Sequence, residues 1–65
     1  MTVTPDPREV LFEFVRVGSS VRVSAIDPRS NTEAVVVGPA TAGEARLRQI
    51  AMAKLRFLLS KQAGP

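Results

Sequence analysis

Apolar and polar positions change rhythm once along this chain. From Val10 to Val37 they alternate in short runs broken by turn residues, and from Thr41 onward they recur at helical spacing. The first run, Val10 to Val17 (VLFEFVRV), is rich in β-branched and aromatic residues and predicts a strand. One side carries Val10, Phe12, Phe14 and Arg16, and the other Leu11, Glu13, Val15 and Val17. Gly18, Ser19 and Ser20 predict a tight turn, and Val21 to Ile26 a second strand. A two-residue Gly18-Ser19 loop would pair Phe14 with Val23, Phe12 with Ala25 and Arg16 with Val21. A slip of one residue would mix the two faces.

Asp27-Pro28-Arg29-Ser30-Asn31-Thr32 has turn chemistry throughout, with Pro preset for the second position and Asn tolerant of left-handed φ. A four-residue loop there opposes Ala25 to Ala34 and Val23 to Val36, so one face stays apolar across three strands. The third strand is expected over Glu33 to Val37, ended by Gly38-Pro39. Thr41 and Glu44 stand at capping-box spacing and predict a helix from Thr41 to Gln62. The fold class is α+β: a three-stranded antiparallel β-meander followed by one long C-terminal helix, β-β-β-α. Residues 9–63 are expected to form the single domain. Pro5 and Pro7 mark residues 1–8 as a flexible N-terminal arm.

Projected at about 100° per residue, the helix places Leu47, Ala51 and Leu58 at the centre of its apolar side. Ile50 and Phe57 flank one edge, and Met52, Leu55 and Leu59 the other. Gln49, Arg46, Arg56, Ser60 and Ala53 remain as a solvent stripe. That arc is wider than one small sheet covers. A helix of this length, at about 1.5 Å per residue, also outruns short strands. The opposite sheet face collects Leu11, Val15, Val17, Ile26, Val35 and Val37, a patch of the kind that marks an interaction surface. A domain of 65 residues is marginal alone, and with neither cysteine nor histidine it has no disulfide or imidazole site to staple it. These mismatches predict a homodimer, intertwined or helix-exchanged, with Met52, Leu55, Leu59, Val15, Val35 and Val37 at its interface. Lys54, the one charge inside the apolar arc, is expected to snorkel.

The formal charge is +3. Arg46, Arg48, Lys54, Arg56 and Lys61 concentrate the positive charge on the helix, against Glu44 alone. Arg46, Arg48 and Arg56 are therefore candidate phosphate contacts. Asp27 and Glu44 have local roles in a turn and at a helix end, and Glu13 lies diagonal to Arg22 as a surface ion pair. No carboxylate pair is spaced for acid-base catalysis, and no cluster is spaced for a metal ion, so no catalytic, cofactor or metal site is expected. Gly38-Pro39-Ala40-Thr41-Ala42-Gly43 lacks the Lys-Ser/Thr ending of a phosphate loop. No apolar run reaches the ~18 to 20 residues of a membrane span. The N-terminus lacks the basic start and apolar run of a secretory signal, which predicts a cytoplasmic protein.

Glu9 to Leu59, and VRVGSSVRVSAIDP and VVGPA above all, resemble a small family of uncharacterised alphaproteobacterial proteins, a domain of unknown function. The resemblance implies a stand-alone sheet-plus-helix protein and carries over no activity, ligand or catalytic residue. Asn31 stands where Gly is expected in the second turn. The function expected is a non-enzymatic, self-associating interaction or regulatory module with an unidentified protein partner. The alternative is a nucleic-acid-binding module using the basic helix face.

Overall fold

In the computed structural model the described residues are Asp6 and 8–63. Three strands, β1 (Leu11–Val17), β2 (Ser20–Asp27) and β3 (Thr32–Pro39), form an antiparallel meander in the order β1-β2-β3. A 3-10 turn (Ala40–Ala42) leads into one helix, α1 (Glu44–Ala63). The N-terminal arm falls almost wholly outside the described residues. Asp6 and Arg8 belong to a turn in which the Asp6 carbonyl accepts hydrogen bonds from the Glu9 and Val10 amides, at 2.9 and 3.2 Å.

Both strand registers follow from the apolar parity. Phe12 opposes Ala25, Phe14 opposes Val23 and Arg16 opposes Val21 across the first hairpin, with Gly18 at φ 60 as the first loop residue. Ser19 has no positive φ, so the turn is of the II′ kind, whose twist matches the strands. Across the second hairpin Ala25 opposes Ala34 and Val23 opposes Val36. Asn31 takes the left-handed conformation there, at φ 58, and its amide donates to the Asp27 carbonyl at 2.8 Å. Asp27 is buried and organises this loop, accepting from the Arg29 amide at 3.2 Å and the Ser30 hydroxyl at 2.9 Å.

Two boundaries differ from the sequence expectation by more than one residue. Strand β3 runs through Gly38 and Pro39, because it is an edge strand and Pro39 has no partner to serve on its outer side. Gly38 is a point of close approach inside the strand rather than its end. A β-carbon there would stand 2.5 Å from Leu47 Cδ2, so only hydrogen lets α1 descend onto the sheet. The helix also starts three residues late. Thr41 lies inside the 3-10 turn, and Gly43, at φ 86, is the residue whose carbonyl accepts the Leu47 amide at 3.1 Å. The Thr41–Glu44 capping box is therefore not formed. Glu44 keeps the electrostatic half of that role, as a carboxylate in the first turn beside the positive helix end.

The core lies between α1 and the inner faces of β2 and β3, which the helix crosses while leaving β1 largely uncovered. Val23, Ala25 and Ala34 from the sheet meet Leu47, Ala51, Met52, Leu55 and Leu59 from the helix, with Val10 closing one end. Here the helix is rolled relative to the expected projection. Leu55 and Leu59 sit deep in the same cluster as Ala25 and Ala34, while Ile50 and Phe57 are left 41% and 61% exposed. An arc too wide for one sheet cannot be buried at both edges, and the long side chains go where the sheet residues are smallest. Lys54 lies on the same margin as Ile50 and Phe57. Its methylenes run beside the helix edge, and its Nζ donates to the Val35 carbonyl on β3 at 2.8 Å. The last turn is tied down by Thr32 Oγ1, which donates to Gln62 Oε1 at 3.1 Å.

Candidate functional site

Three surfaces outside the core have a composition that calls for explanation, and each is placed by the sheet. The first is the sheet face away from α1. Leu11, Val17 and Val37 are 59%, 67% and 67% exposed there, with Val15, Ile26 and Val35 half-buried between them. Glu13 and Glu33 lie on the outer strands and Arg22 on the central one. Arg22 makes no ion pair with Glu13. The ion pairs found among the described residues are Arg8–Asp6 at 3.0 Å and Arg29–Glu9 at 4.0 Å.

The second surface is a cleft beside β1. Because α1 lies over β2 and β3, the rings of Phe12 and Phe14 are covered only along one side, and Arg48 fills the gap. Its guanidinium carbon stands 5.3 Å from the Phe12 ring centre and 5.6 Å from that of Phe14. Contacts of this kind are each worth about 0.5–1 kcal/mol where solvent reaches them. Next to this stack opens a cavity of about 410 Å³ lined by Arg8, Phe12, Arg48, Gln49, Met52 and Arg56. Its floor is apolar, its rim carries three guanidinium groups, and no carboxylate lines it. A second hollow, of about 290 Å³, lies toward the helix start between Phe14, Arg16 and Leu47, with Glu44 at its rim.

Among the described residues no strand pairs with the outer side of β1, and the hydrogen-bond alternation of antiparallel strands shows which peptide groups point there. The Ala40 amide donates to the Ser19 carbonyl. With Ser20 opposite Pro39, the bonded pairs of β2 and β3 are then Val21–Gly38, Val23–Val36 and Ala25–Ala34. The intervening residues of β2 turn their amides and carbonyls toward β1 and meet Val17, Val15, Glu13 and Leu11. Phe12, Phe14 and Arg16 consequently direct their peptide groups outward, along an open strand edge. On the far side Glu33, Val35 and Val37 do the same, and there Lys54 occupies the Val35 carbonyl.

The third surface is the helix flank above β3, where Phe57 and Ile50 are exposed and Lys61 stands 5.4 Å from the Phe57 ring centre.

A profile of a known protein family, described as a domain of unknown function, DUF6898, matches residues 7–62. The chain belongs to the DUF6898 family. No curated protein and no solved structure matches it, so the sites of this DUF6898 chain are read from its own geometry. Among its described residues, no group of three or more acidic side chains is placed to hold a metal ion, and no helix is long and apolar enough to cross a membrane.

The residues singled out from sequence divide in two. Val15, Val35 and Val37 share the open sheet face. Met52, Leu55 and Leu59, expected at a shared interface, are instead 6%, 0% and 4% exposed inside the chain's own core. The three arginines do not form one face either. Arg48 and Arg56 line the β1 cleft, while Arg46 is exposed elsewhere and lines neither hollow. Sequence reading left Arg8 in the arm and took Phe12 and Phe14 as core. The signal that could have found the cleft is the placement of two aromatics on the first strand of a meander, an edge that one helix cannot reach.

Proposed function

We propose that this DUF6898 chain is a non-enzymatic association module that pairs with a second copy of itself through the sheet face opposite α1. The observation that carries this reading is the apolar patch of Leu11, Val17 and Val37, backed by Val15, Ile26 and Val35. Glu13, Ser24, Arg22 and Glu33 are interleaved with these apolar residues, and an exposed face with that mixture of apolar side chains and a few charges marks an interaction surface. The charges on that face also complement each other under a two-fold axis, since Arg22 on the central strand of one copy can meet Glu13 or Glu33 on the outer strands of the other. Helix exchange is the weaker form of the idea, because Met52, Leu55 and Leu59 are already satisfied within one chain. A bacterial, cytoplasmic setting belongs to the same proposal, its bacterial part resting on the family resemblance. Nucleic-acid binding has less support, because Arg46 is separated from Arg48 and Arg56, and Arg48 already covers the aromatic rings.

Sedimentation velocity tests the reading. The native chain should run as a dimer at low micromolar concentration, and Val17→Lys combined with Val37→Lys should shift it to a monomer with an unchanged far-ultraviolet circular dichroism spectrum. A native chain seen only as a 7 kDa species would refute it.

A further inference from the structure

The open edge of β1 and the arginine-rimmed cleft beside it lie together, and they do not belong to the apolar face that carries self-association. We infer that this edge binds an acidic peptide segment in extended conformation, which adds to β1 as a fourth strand and sends alternate side chains into the cleft. Two independent features converge on that occupant. The outward peptide groups of Phe12, Phe14 and Arg16 offer donors and acceptors at a strand's repeat, which another peptide backbone complements residue by residue. Side chains of an added strand that point to the helix side, one in every two, meet Arg48 and Arg56 beside the apolar floor of Phe12 and Met52. Of the three rim arginines Arg8 is paired with Asp6, whereas Arg48 and Arg56 make no ion pair among the described residues and leave two positive charges for an acidic ligand.

The chemistry of the cleft disfavours the other occupants. A second copy pairing β1 against β1 would bring its own Arg8, Arg16, Arg48 and Arg56 against these, like charge upon like charge. Nucleic acid would gain from the arginines but has no use for the strand edge, and the ring faces it would stack on are taken by Arg48. A segment with acids at i and i+2 separated by apolar residues matches both the backbone and the rim. At the opposite edge, Lys54 on the Val35 carbonyl and the missing amide of Pro39 interrupt the same ladder, so the added strand has one place to go.

The probe is a fluorescent hexapeptide alternating glutamate and valine, titrated into the full chain at 50 mM salt with anisotropy and amide NMR as readouts. Binding should shift the amides of Phe12, Phe14 and Arg16 and slow their exchange. Arg48→Glu and Arg56→Glu should each weaken it at least tenfold, and a lysine–valine hexapeptide should not bind. Arg56 is exposed and outside the core, so its variant stays folded even if loss of the Arg48 stack loosens the domain. Two N-methylated versions of the peptide complete the test, one blocking each alternate set of amides. One set faces β1 and its methylation should abolish binding, while the other faces solvent and should leave affinity within about twofold. Equal loss or equal retention for the two sets, shifts confined to β3 or to the Leu11–Val17–Val37 face, or tighter binding of a single-stranded oligonucleotide of the same charge at the same amides would each overturn the inference. Titration below the concentration at which the chain self-associates keeps this outcome separate from that of the dimer.

Discussion

Replacing Gly38 by alanine asks whether the sheet and helix meet as closely as the structure places them. Two effects oppose each other. An alanine in extended backbone restricts the unfolded chain and, where it fits, stabilises by about 0.4–1 kcal/mol. Gly38 has no positive φ, so backbone conformation raises no objection. The added β-carbon, however, would stand 2.5 Å from Leu47 Cδ2, well inside contact distance. Leu47 is 2% exposed, so its methyl can yield only by turning within the core or toward the hollow it shares with Phe14 and Arg16. Forcing an extra carbon into such a site costs about 1–3 kcal/mol, so the packing effect wins and Gly38→Ala should destabilise by about 1–2 kcal/mol. In a domain of this size each kcal/mol moves the midpoint by about 4–8 °C, and the melting temperature should fall by roughly 5–15 °C. Thermal and urea denaturation, followed by circular dichroism at several protein concentrations, read this directly. Leu47→Val removes the offending methyl, so the double variant should lose less than the two single losses added together. A Gly38→Ala protein as stable as the native one, or strictly additive losses in the double variant, would refute the close approach and return Gly38 to the status of a strand breaker.

Asn31, at φ 58 in the second loop, should accept glycine with no loss or a gain of a few tenths of a kcal/mol, whereas Asn31→Ala should cost about 1 kcal/mol because alanine keeps the β-carbon but lacks the short polar side chain that lets asparagine tolerate left-handed φ. Urea midpoints of the two variants decide this, and equal stability would argue against the left-handed turn. Asp6 should titrate below the ordinary carboxylate range, because the Arg8 side chain and then the Arg8 amide hydrogen-bond its charged form. A depressed folded pKa means that the contact stabilises fully above the unfolded value and is lost as pH falls through the folded one. Carboxyl NMR should accordingly show a lowered midpoint that rises in Arg8→Gln. An ordinary midpoint in the native chain would show that the pair is not held in solution.

The strand registers were readable because their parity is decided by burial. Phe14, Val23 and Val36 must share a face with Ala25 and Ala34, and only even loops allow that. Asn31 likewise announced its conformation by its residue type. The roll of α1 was not readable. Apolar residues surround so much of the helix that several rotations bury similar area, and the choice rests on contacts remote in sequence, such as Leu47 against Gly38 and Lys54 against the Val35 carbonyl. That single ambiguity moved Met52, Leu55 and Leu59 from the expected interface into the core and released Ile50 and Phe57. The helix start was misplaced for a local reason. Thr-x-x-Glu is a genuine cap spacing, but Gly43 two residues after Thr41 offers a conformation that a chain leaving a strand at Pro39 needs first. The β1 cleft escaped notice because it arises from an offset between layers, which no stretch of sequence records by itself.

Lys54 bears on stoichiometry. A sheet with two equivalent free edges can grow without limit, each added strand exposing a fresh template, and small β-rich chains face fibre formation for that reason. Here the ammonium group on the Val35 carbonyl, together with Pro39 two strand repeats along, closes one end of that series. Edge-to-edge stacking of copies, β1 of one on β3 of the next, needs both edges, so closing β3 stops that series at its first step. One side chain on the helix thereby limits the sheet to finite complexes.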